Sequence, residues 1–412
     1  MYDIAIAFYA FIVRLASLFN KKAQKMLAGQ KKTFPVLAEN IDLQARYIWF
    51  HAASLGEFEQ GRPLIEKVRE EKPEYKILLT FFSPSGYEVR KDYAGADVIC
   101  YLPFDYRSNA QKFLDLAKPE IAIFIKYEFW MNYLNHLKKR NIPTYIISAV
   151  FRPDQIFFRW YGCKYRNVLN NYNWFFVQDG NSATLLKQFN YNNITISGDT
   201  RFDRVYKIFK QGKNLPLIEK FVNKTEEKQL VLIAGSTWDK DEEILIPFFN
   251  QHPKIKLIIA PHEINENHLA QLKNRIKRPY TLYSEADEKE IEKTDCLIID
   301  CLGLLSSAYK YGEIAYIGGG FGGGIHNVLE AAVYGIPVLF GPNYGKFREA
   351  KELIASKGAF SVSSENDFSA QMNNLLIYTE LIRDAGKKAS NYVINNLDAT
   401  QEIYEKVFST CP

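Results

Sequence analysis

Side chains that could act as acids, bases or ligands recur where a short apolar run gives way to polar sequence. The first such group is the segment HAASLGE (51–57), which follows the apolar run Tyr47–Ala52. The carboxyl end of a strand is where α/β folds place reactive groups, and Glu57 there could accept the proton of an attacking hydroxyl. Ser54-x-x-Glu57 also has the spacing of a capping box, which only starts a helix. The residues leave both interpretations open.

A second acid, Glu128, stands in the segment KYEFW (126–130), directly after the apolar run Ile121–Ile125. If both runs are strands of one parallel sheet, Glu57 and Glu128 come to the same edge and line one cleft. The alternative is that Glu128 is an ordinary acid in the first turn of a helix.

Six glycines fall within residues 318–324 and are followed by His326, Asn327 and Glu330. Glycine lets the backbone approach a ligand closely, and a helix predicted over Asn327–Tyr334 would offer free N–H groups to a phosphate. The run satisfies G-x-G-x-x-G, but residues 337–345 offer no acid for a ribose. We therefore expect a phosphate or nucleotide-sugar loop rather than a dinucleotide site; the alternative is a loose surface loop.

Two smaller groups follow other apolar runs. The hydroxyls of Ser236 and Thr237 could bind a phosphate or cap a helix. His262 opens the run HEINENH, which has Glu266 where a zinc-binding H-E-x-x-H motif needs histidine. We expect no metal site.

The elements that position these groups alternate between β-rich and helical segments. Strands are predicted over Tyr47–Ala52, Ile77–Phe82, Val98–Leu102, Ile121–Ile125, Thr144–Ala149, Trp174–Gln178, Ile194–Ser197, Leu230–Ala234, Lys256–Ala260, Leu297–Asp300, Ile314–Ile317 and Pro337–Phe340. This rhythm predicts parallel sheets covered by helices on both faces. Two such doubly wound domains would face each other across a cleft at the carboxyl ends of their strands.

Length and composition agree with two domains. The chain has 412 residues, 47% hydrophobic and 24% charged, which excludes a disordered or polytopic membrane protein. Its five cysteines show no C-x-x-C spacing, which favours a reducing compartment. The predicted division is a membrane-associated helix with a basic flank (1–32), an N-terminal domain (33–206), a polar connection (207–229), a C-terminal domain (230–380) and closing helices that could pack back on the first domain (381–412).

The net charge of +5 lies entirely at the N-terminus. Residues 1–38 carry six basic side chains and one acidic side chain, so residues 39–412 sum to zero. The charge follows the apolar run Met1–Phe19, which is the reverse of a cleaved signal peptide. We expect a retained helix that lies in or dips into the membrane, with lysines on anionic headgroups, and no nucleic-acid partner. The alternative is a packing helix at the edge of the first domain.

Taken in order, the motifs resemble the Kdo (3-deoxy-D-manno-octulosonic acid) transferases of Gram-negative bacteria. The resemblance covers nearly the whole chain and rests on HAASLGE (51–57), TFFSPSGYE (80–88), YLPFD (101–105), KYEFWMN (126–132), SGDTRFD (197–203), AGST (234–237), CLGLLSSAY (301–309) and IGGGFGGGIHNVLEAAVYGIPVLFGP (317–342).

The resemblance implies a GT-B glycosyltransferase of two Rossmann-like domains. It implies inverting transfer of Kdo from CMP-Kdo to a lipid A precursor in lipopolysaccharide biosynthesis, without a metal or cofactor. The enzyme would be monotopic, at the cytoplasmic face of the bacterial inner membrane, in contact with anionic lipids.

The resemblance also assigns roles to residues. Glu57 matches the catalytic base of the family, while Ser54, Gly56 and Glu128 fall on the acceptor side. The residues that match the donor-binding side are Ser236, Thr237, His262, Gly320, Gly322, Gly323, His326, Asn327 and Glu330. The sequence departs from the family pattern at Pro261-His262-Glu263, where an arginine is usual, and at Met131, where a proline is usual.

Three other functions remain open at this point. A different GT-B enzyme, either a UDP-sugar transferase or an epimerase, would share the fold and the glycine loop. A non-catalytic binding protein would have a degenerate site, which the intact Glu57, Asn327 and Glu330 disfavour. An NAD-dependent enzyme is disfavoured by the missing ribose-binding acid.

Overall fold

The structure, a computed structural model, describes residues 2–222 and 229–409. It divides into two compact α/β units: unit 1 comprises residues 1–203 with 398–412, and unit 2 comprises residues 204–397. The predicted polar connection (207–229) includes helical residues up to Val222, and its residues 223–228 lie outside the described part of the chain. Cys411 lies outside it as well.

Unit 1 is built on a seven-stranded, all-parallel sheet. Its strands are β1 (Arg46–Ala52), β2 (Tyr75–Phe81), β3 (Val98–Tyr101), β4 (Ile121–Ile125), β5 (Thr144–Ala149), β6 (Trp174–Val177) and β7 (Ile194–Ile196), in the order β3-β2-β1-β4-β5-β6-β7. The order reverses at β1, so the ends of β1 and β4 lie side by side, with His51 in register with Phe124. This is the switch point at which doubly wound sheets place ligands.

The helices of unit 1 cover both faces of this sheet. They are α1 (Tyr2–Ala16), α2 (Lys21–Asn40), α3 (Leu55–Glu71), α4 (Pro84–Arg90), α5 (Arg107–Ala117), α6 (Met131–Lys139), α7 (Cys163–Arg166) and α8 (Gly180–Lys187). One face buries Trp49, Phe113, Phe124 and Tyr133 in a continuous aromatic cluster, and β4 is fully buried. Burial on both faces explains why the strands read as unbroken apolar runs.

The predicted membrane-associated helix and basic flank (1–32) fall on two separate helices. Helix α1 ends at Ala16, and Asn20 caps α2 by accepting hydrogen bonds from the backbone N–H groups of Lys22 and Ala23 at 2.8 and 3.2 Å. Helix α2 belongs to the fold of unit 1, because Leu37 is fully buried and the Thr33 hydroxyl donates to the Tyr101 carbonyl at 2.8 Å. The basic flank is therefore the exposed side of a packed helix.

Helix α1 is fixed to unit 1 by its first residues. The Tyr2 hydroxyl donates to the Asp105 carboxylate at 2.5 Å, and Asp3 accepts a hydrogen bond from the Asn132 side chain at 2.9 Å. Ala10 is buried, whereas most of the other apolar side chains of α1 are exposed. Across residues 2–222 and 229–409, none of the helices combines the length and the hydrophobicity needed to cross a bilayer.

Unit 2 repeats the architecture with a second seven-stranded parallel sheet. Its strands are β8 (Leu230–Thr237), β9 (Ile255–Pro261), β10 (Tyr280–Leu282), β11 (Cys296–Ile298), β12 (Ile314–Ile317), β13 (Val338–Phe340) and β14 (Ala359–Ser361), in the order β10-β11-β9-β8-β12-β13-β14. The two doubly wound sheets confirm the predicted fold class. The sequence does not predict the edge strands β10 and β14, each of which has three residues.

The helices that begin within or just before unit 2 are α9 (Arg201–Gln211), α10 (Pro216–Val222), α11 (Asp239–Gln251), α12 (Glu266–Arg275), α13 (Leu305–Ala308), α14 (Leu329–Ala332), α15 (Arg348–Ala355), α16 (Glu365–Ile377) and α17 (Thr379–Ile394). The last helix, α18 (Ala399–Ser409), lies in unit 1, where Ile403 and Val407 enter the core beside β1 and β2. The Asp203 carboxylate fixes its start by accepting from the backbone N–H groups of Asp398 and Thr400 at 2.7 and 2.6 Å.

Helix α17 approaches the turn after α14 closely enough to require glycine. A Cβ on Gly386 would lie 1.9 Å from the carbonyl oxygen of Gly335, and Gly335 itself has φ +75°. The contact is between two backbones, so neither partner can move aside as a flexible side chain would. It sets the position of α14, which carries Glu330.

We predict that Gly386→Ala lowers the free energy of unfolding by about 1–3 kcal/mol, because the overpacking exceeds the gain in helix preference. Gly180→Ala is the matched control: Gly180 begins α8, and a Cβ added there would meet no neighbouring atom within 4 Å. Urea unfolding of both variants measures the difference. Equal stability of the two variants would contradict the packing assignment.

Candidate functional site

Glu57 is the more accessible of the two predicted acids in unit 1. Ser54 precedes α3 with extended backbone (φ −141°, ψ 179°), and the Phe58 N–H donates to its carbonyl at 3.0 Å. The Ser54 hydroxyl donates to the Glu57 carboxylate, and it accepts no capping bond from the backbone of the helix. The Glu57 carboxylate is therefore not used to cap the helix, and Gly56 beside it is exposed.

Glu128 has a different environment at the end of the neighbouring strand. It is 5% exposed, and its carboxylate accepts from the Trp130 indole N–H and lies 3.1 Å from His51 Nε2. His51 Nδ1 is 2.8 Å from the Thr80 hydroxyl, which also accepts from the Trp49 indole. With Nε2 facing Glu128 and Nδ1 facing Thr80, His51 links the ends of β1 and β2 to the loop after β4.

This buried network makes Glu128 a positioning group. Its carboxylate is held by ring donors, and its backbone carbonyl accepts from the Tyr172 hydroxyl. Burial, together with the neighbouring Glu128, raises the pKa of that hydroxyl well above its usual range. The structure therefore separates the two acids: Glu57 is partly exposed, while Glu128 fixes the loop after β4.

Sequence reasoning does not single out the cationic and phenolic groups on this loop. Lys126 follows β4 with φ +76°, an unfavourable conformation for a lysine of the kind that concentrates at functional sites. The Tyr127 hydroxyl accepts from Arg152 at 3.4 Å, and burial raises its pKa, with a further contribution from the negative charge of Glu57. Tyr127 therefore lies within electrostatic reach of Glu57.

The segment SGDTRFD (197–203), which follows the edge strand β7, is bonded to α3, the helix that carries Glu57. Asp199 is buried; it accepts from the Gln60 side chain at 3.1 Å and from both Nε and Nη2 of Arg201, at 2.9 and 2.7 Å. Although burial opposes it, Arg201 lowers the pKa of Asp199. Since Gln60 lies one turn after Glu57, this ion pair helps to fix the helix that carries Glu57.

In unit 2 the glycines of residues 318–324 fall into two groups. A Cβ on Gly318 would lie 2.2 Å from the Ser236 carbonyl oxygen, and one on Gly320 would lie 2.6 Å from Gly341, so the fold needs these glycines. At Gly322 the nearest neighbouring atom would be 3.7 Å away, and at Gly323 there is open space. The fold does not require glycine at these two positions, which leaves room for a ligand against the backbone.

Both of these glycines line a cavity of about 520 Å³, a volume suited to a small-molecule ligand. Its wall also includes Trp238, Lys240 and His326. The amide N–H of Gly323 donates no hydrogen bond within residues 2–222 and 229–409. The cavity thus presents an aromatic side, one lysine and a free backbone donor.

Three rings stack at the edge of this cavity. The His262 ring stacks on Trp238 with centroids 4.7 Å apart and on His326 with centroids 4.3 Å apart, and the Trp238 indole donates to His326 Nε2 at 3.2 Å. Burial lowers the pKa of His262, and burial together with His262 lowers the pKa of His326 to about 4. These lowered pKa values favour the neutral form of both rings near pH 7.

Asp241, which sequence reasoning also misses, holds the glycine loop in place. Its buried carboxylate accepts from the backbone N–H groups of Trp238 and Gly319 at 3.0 and 2.8 Å and from the Tyr316 hydroxyl at 2.8 Å. Burial raises its pKa. One side chain therefore joins the ends of β8 and β12 to the loop.

The helix after the loop is shorter than predicted. It covers Leu329–Ala332 instead of Asn327–Tyr334, with turns at Val328 before it and at residues 333–335 after it. Asn327 accepts from the Leu329 N–H at 3.2 Å and donates to Glu330 at 3.0 Å. Burial raises the pKa of Glu330, against the opposing effect of Arg204. A single turn has little dipole, so the phosphate donors must come from the loop.

The two predicted hydroxyls after β8 differ in availability. The Thr237 hydroxyl is buried and donates to Glu242 at 3.0 Å, so it is engaged within the fold. The Ser236 hydroxyl makes no hydrogen bond within the described ranges, and Ser236 has φ +55°. Ser236 is thus the better placed of the two for a ligand.

One cluster beside this site has ligand atoms close enough for a metal: Asp239, Glu242 and His268, whose ligand atoms lie within 4.8 Å of one another. The guanidinium of Arg275 already lies among them, 3.3 Å from Asp239 and 3.1 Å from Glu242. His268 Nε2 is 2.9 Å from Glu242. The cluster is an ion-pair network whose positive charge Arg275 supplies.

Comparison with known proteins gives concordant results. Residues 21–204 match the family model described as 3-deoxy-D-manno-octulosonic-acid transferase (kdotransferase). The chain is 28% identical to the 3-deoxy-D-manno-octulosonic acid transferase of Aquifex aeolicus, over 80% of this chain and 86% of that protein. It is 26% identical to the Haemophilus influenzae protein of the same name, over 87% of this chain and 86% of that protein.

Among solved structures, the chain is similar to the UDP-GlcNAc 2-epimerase of Neisseria meningitidis bound to UDP-GlcNAc. The TM-score is 0.61 at 14% identity, over 88% of this chain and all of that chain. At this identity the similarity shows the fold alone.

The ring stack makes stability depend on pH. Because His326 has a pKa of about 4 when folded and a usual value of 6.5, the unfolded chain binds the proton more readily between these values. We predict that unfolding free energy falls as pH drops from 6.5 toward 4, by on the order of 1–2 kcal/mol from this partly exposed ring. In the His326→Phe variant, the unfolding free energy should fall less steeply as the pH drops from 6.5 toward 4. Between pH 7 and 8 the difference in unfolding free energy between the variant and the wild type should stay constant. An unchanged slope would exclude His326 as the source.

Proposed function

We propose that this chain, which belongs to the 3-deoxy-D-manno-octulosonic acid (Kdo) transferase family, transfers Kdo from CMP-Kdo to a lipid A precursor. The order of motifs and the curated relatives support a glycosyltransferase of lipopolysaccharide biosynthesis. The observation that carries the mechanism is the partly exposed carboxylate of Glu57, at the start of α3 and beside the sheet switch point.

Glu57 acts as the general base in this proposal. An acceptor hydroxyl attacks the anomeric carbon of Kdo, Glu57 takes the hydroxyl proton as the new bond forms, and CMP leaves with the electrons of the broken bond. Ser54 donates to the carboxylate and orients it, while Glu128 and His51 hold the loop that carries Lys126 and Tyr127. A general base must be a carboxylate that the substrate can reach, which favours Glu57 over the buried Glu128.

Unit 2 provides the donor site in this proposal. Ring stacking at Trp238 suits a nucleobase, the open space at Gly322 and Gly323 suits a phosphate against the backbone, and Lys240 supplies a positive charge. Glu330 is suited to accept hydrogen bonds from ribose hydroxyls. Because His262 and His326 are neutral, backbone N–H groups carry more of the stabilisation of the leaving phosphate than they would beside an arginine.

Helix α1 places unit 1 at the surface of the membrane that holds the acceptor. Its exposed apolar side chains recur at helical spacing along one face: Ile4, Phe8, Phe11, Ile12 and Leu15, with Leu18 and Phe19 beyond its end. Basic residues follow directly, including the exposed Lys21 and Lys22. An apolar stripe beside cations is the pattern of a helix that lies in the interface of an anionic bilayer.

We predict that Glu57→Gln lowers the rate of Kdo transfer by about 100-fold or more, since the amide cannot accept the proton. Purified protein is incubated with CMP-Kdo and a tetra-acylated lipid A precursor, and product mass reports whether zero, one or two Kdo residues are added. Replacing CMP-Kdo with UDP-sugars in parallel tests the alternative GT-B activity.

Glu70→Gln is the matched control, because Glu70 is exposed on the same helix. It should leave the rate unchanged, and both variants should unfold at the wild-type temperature and bind CMP. Near-normal turnover of Glu57→Gln would exclude Glu57 as the base.

We also predict that the double substitution Phe8→Ser with Phe11→Ser weakens binding to phosphatidylglycerol-containing vesicles by about tenfold or more, through lost apolar burial. These side chains are exposed, so the fold should be unaffected; removing residues 1–32 would instead delete residues 21–32 of α2, including the buried Met26 and Gln30. Vesicle co-sedimentation at low and high salt measures the effect. Unchanged binding would contradict the membrane role of α1.

A further inference from the structure

The connection between β5 and β6 exposes a pair of large aromatic side chains. We call residues 156–162 the aromatic turn; it comprises two short 3-10 helices, Ile156–Phe158 and Trp160–Gly162. Trp160 is 89% exposed and Tyr161 is 60% exposed. Their rings touch edge to face with centroids 5.5 Å apart, so they form one apolar projection. Neither residue belongs to the groups assigned to catalysis or donor binding.

The aromatic turn is held firmly at its base. Phe157 is buried and packs on Phe129 with ring centroids 4.6 Å apart. Arg166 donates to the Phe157 carbonyl at 2.7 Å, and its guanidinium stacks on Phe189 at 3.7 Å. A Cβ on Gly162 would lie 1.6 Å from the Ile156 carbonyl oxygen, so the turn closes on itself through glycine. The two exposed rings therefore project from a well-packed base.

The aromatic turn is continuous with helix α1. Tyr165, at the end of the same connection, packs edge to face on Tyr2 with centroids 6.2 Å apart. Tyr2 also lines a cavity of about 600 Å³, whose wall reaches Asn171 at the far end of the connection. The exposed apolar face of α1 and the two exposed rings thus adjoin one region of unit 1.

That region is mainly cationic. The cavity wall includes Arg107, Lys138 and Lys139, and its one acid, Asp3, is paired with Arg107 at 3.2 Å. Beside the aromatic turn, Arg159 and Lys164 are exposed. Exposed aromatic rings next to lysine and arginine match the chemistry of an anionic bilayer, where tryptophan and tyrosine prefer the headgroup level and cations meet phosphates.

We propose that the aromatic turn is a second bilayer contact of unit 1, with Trp160 and Tyr161 entering the headgroup region of the anionic membrane that α1 binds. The inference rests on the proposed membrane role of α1. Two contacts at different points would restrict the orientation of unit 1 on the surface more than α1 does alone. The basic cavity between them takes lipid phosphates.

The test is vesicle co-sedimentation of the full chain carrying Trp160→Ser with Tyr161→Ser, on phosphatidylcholine vesicles with and without phosphatidylglycerol. We expect binding about fivefold weaker or more, with an unchanged unfolding temperature. Ile377→Ser with Tyr378→Ser is the matched control, because these neighbours are an exposed apolar and aromatic pair on unit 2. It should bind as wild type does.

A spectroscopic measurement reports on Trp160 itself. The emission of Trp160, taken as the difference between wild type and Trp160→Phe, should shift to shorter wavelength when phosphatidylglycerol vesicles are added. Lys138→Glu with Lys139→Glu should weaken binding to the anionic vesicles and leave binding to neutral vesicles unchanged.

Three results would overturn the inference. The first is wild-type vesicle binding by the aromatic-turn variant. The second is a loss of self-association without a change in vesicle binding, which would make the turn a contact between copies of the chain. The third is a loss of Kdo transfer to a detergent-dispersed acceptor with vesicle binding intact, which would assign the turn to the acceptor site. A wild-type chain that transfers no Kdo would overturn the proposed function alone, because the vesicle measurements need no donor.

Discussion

Buried carboxylates that must find hydrogen-bond donors organise both units. A carboxylate removed from water is strongly destabilising unless donors satisfy it, so each one draws separate pieces of chain together. Asp105 accepts from the Tyr2 hydroxyl and from the backbone N–H groups of Asn132 and Tyr133, which joins α1 to the start of α6. In unit 2, Asp241 joins the ends of β8 and β12 to the glycine loop.

This constraint distinguishes acids that build the site from acids that can react. Glu128 and Asp199 are buried, and their oxygens are occupied by donors from rings, amides and a guanidinium. Glu57 remains partly exposed, and its carboxylate accepts from the hydroxyl of Ser54. Two acids that follow adjacent strands therefore differ in accessibility, a property that their spacing in sequence does not carry.

The same property marks the limit of what the sequence can predict. The buried strands are recognisable because burial on both faces removes polar residues from them, as in Ile121–Ile125. Where helix α2 lies, the sequence predicts only a basic flank, since the inward face of the helix includes Gln30 and Thr33 among its four buried residues and gives a weak apolar stripe. The predicted helix at α14 is too long. The side chain of Asn327, just before the helix, bonds to Leu329 and Glu330, and such bonds cannot be recognised from the hydrophobic pattern of the sequence.

Residue types also do not reveal which groups of the proposed donor site are available to a ligand. A histidine in place of an arginine suggests a replacement cation, but the stack of Trp238, His262 and His326 favours neutral rings. Thr237 is a plausible phosphate ligand by residue type, yet its hydroxyl satisfies the buried Glu242. The glycines show the reverse case: Gly318 and Gly320 serve packing, and only the three-dimensional contacts reveal that Gly322 and Gly323 are free to face a ligand.

The anchoring of α1 extends this logic to the membrane. An amphipathic helix joined to the fold by a flexible tether would leave the enzyme free to rotate above the bilayer. Here Tyr2 and Asp3 bind Asp105 and Asn132, and Asn132 lies in the first turn of α6, the helix that follows Glu128 and Trp130. The helix that we propose to meet lipid is thus tied by hydrogen bonds to the start of α6, next to the loop on the proposed acceptor side. An orientation imposed on α1 by the bilayer is therefore imposed on that loop as well, because the buried Asp105 can be satisfied only while both remain in place.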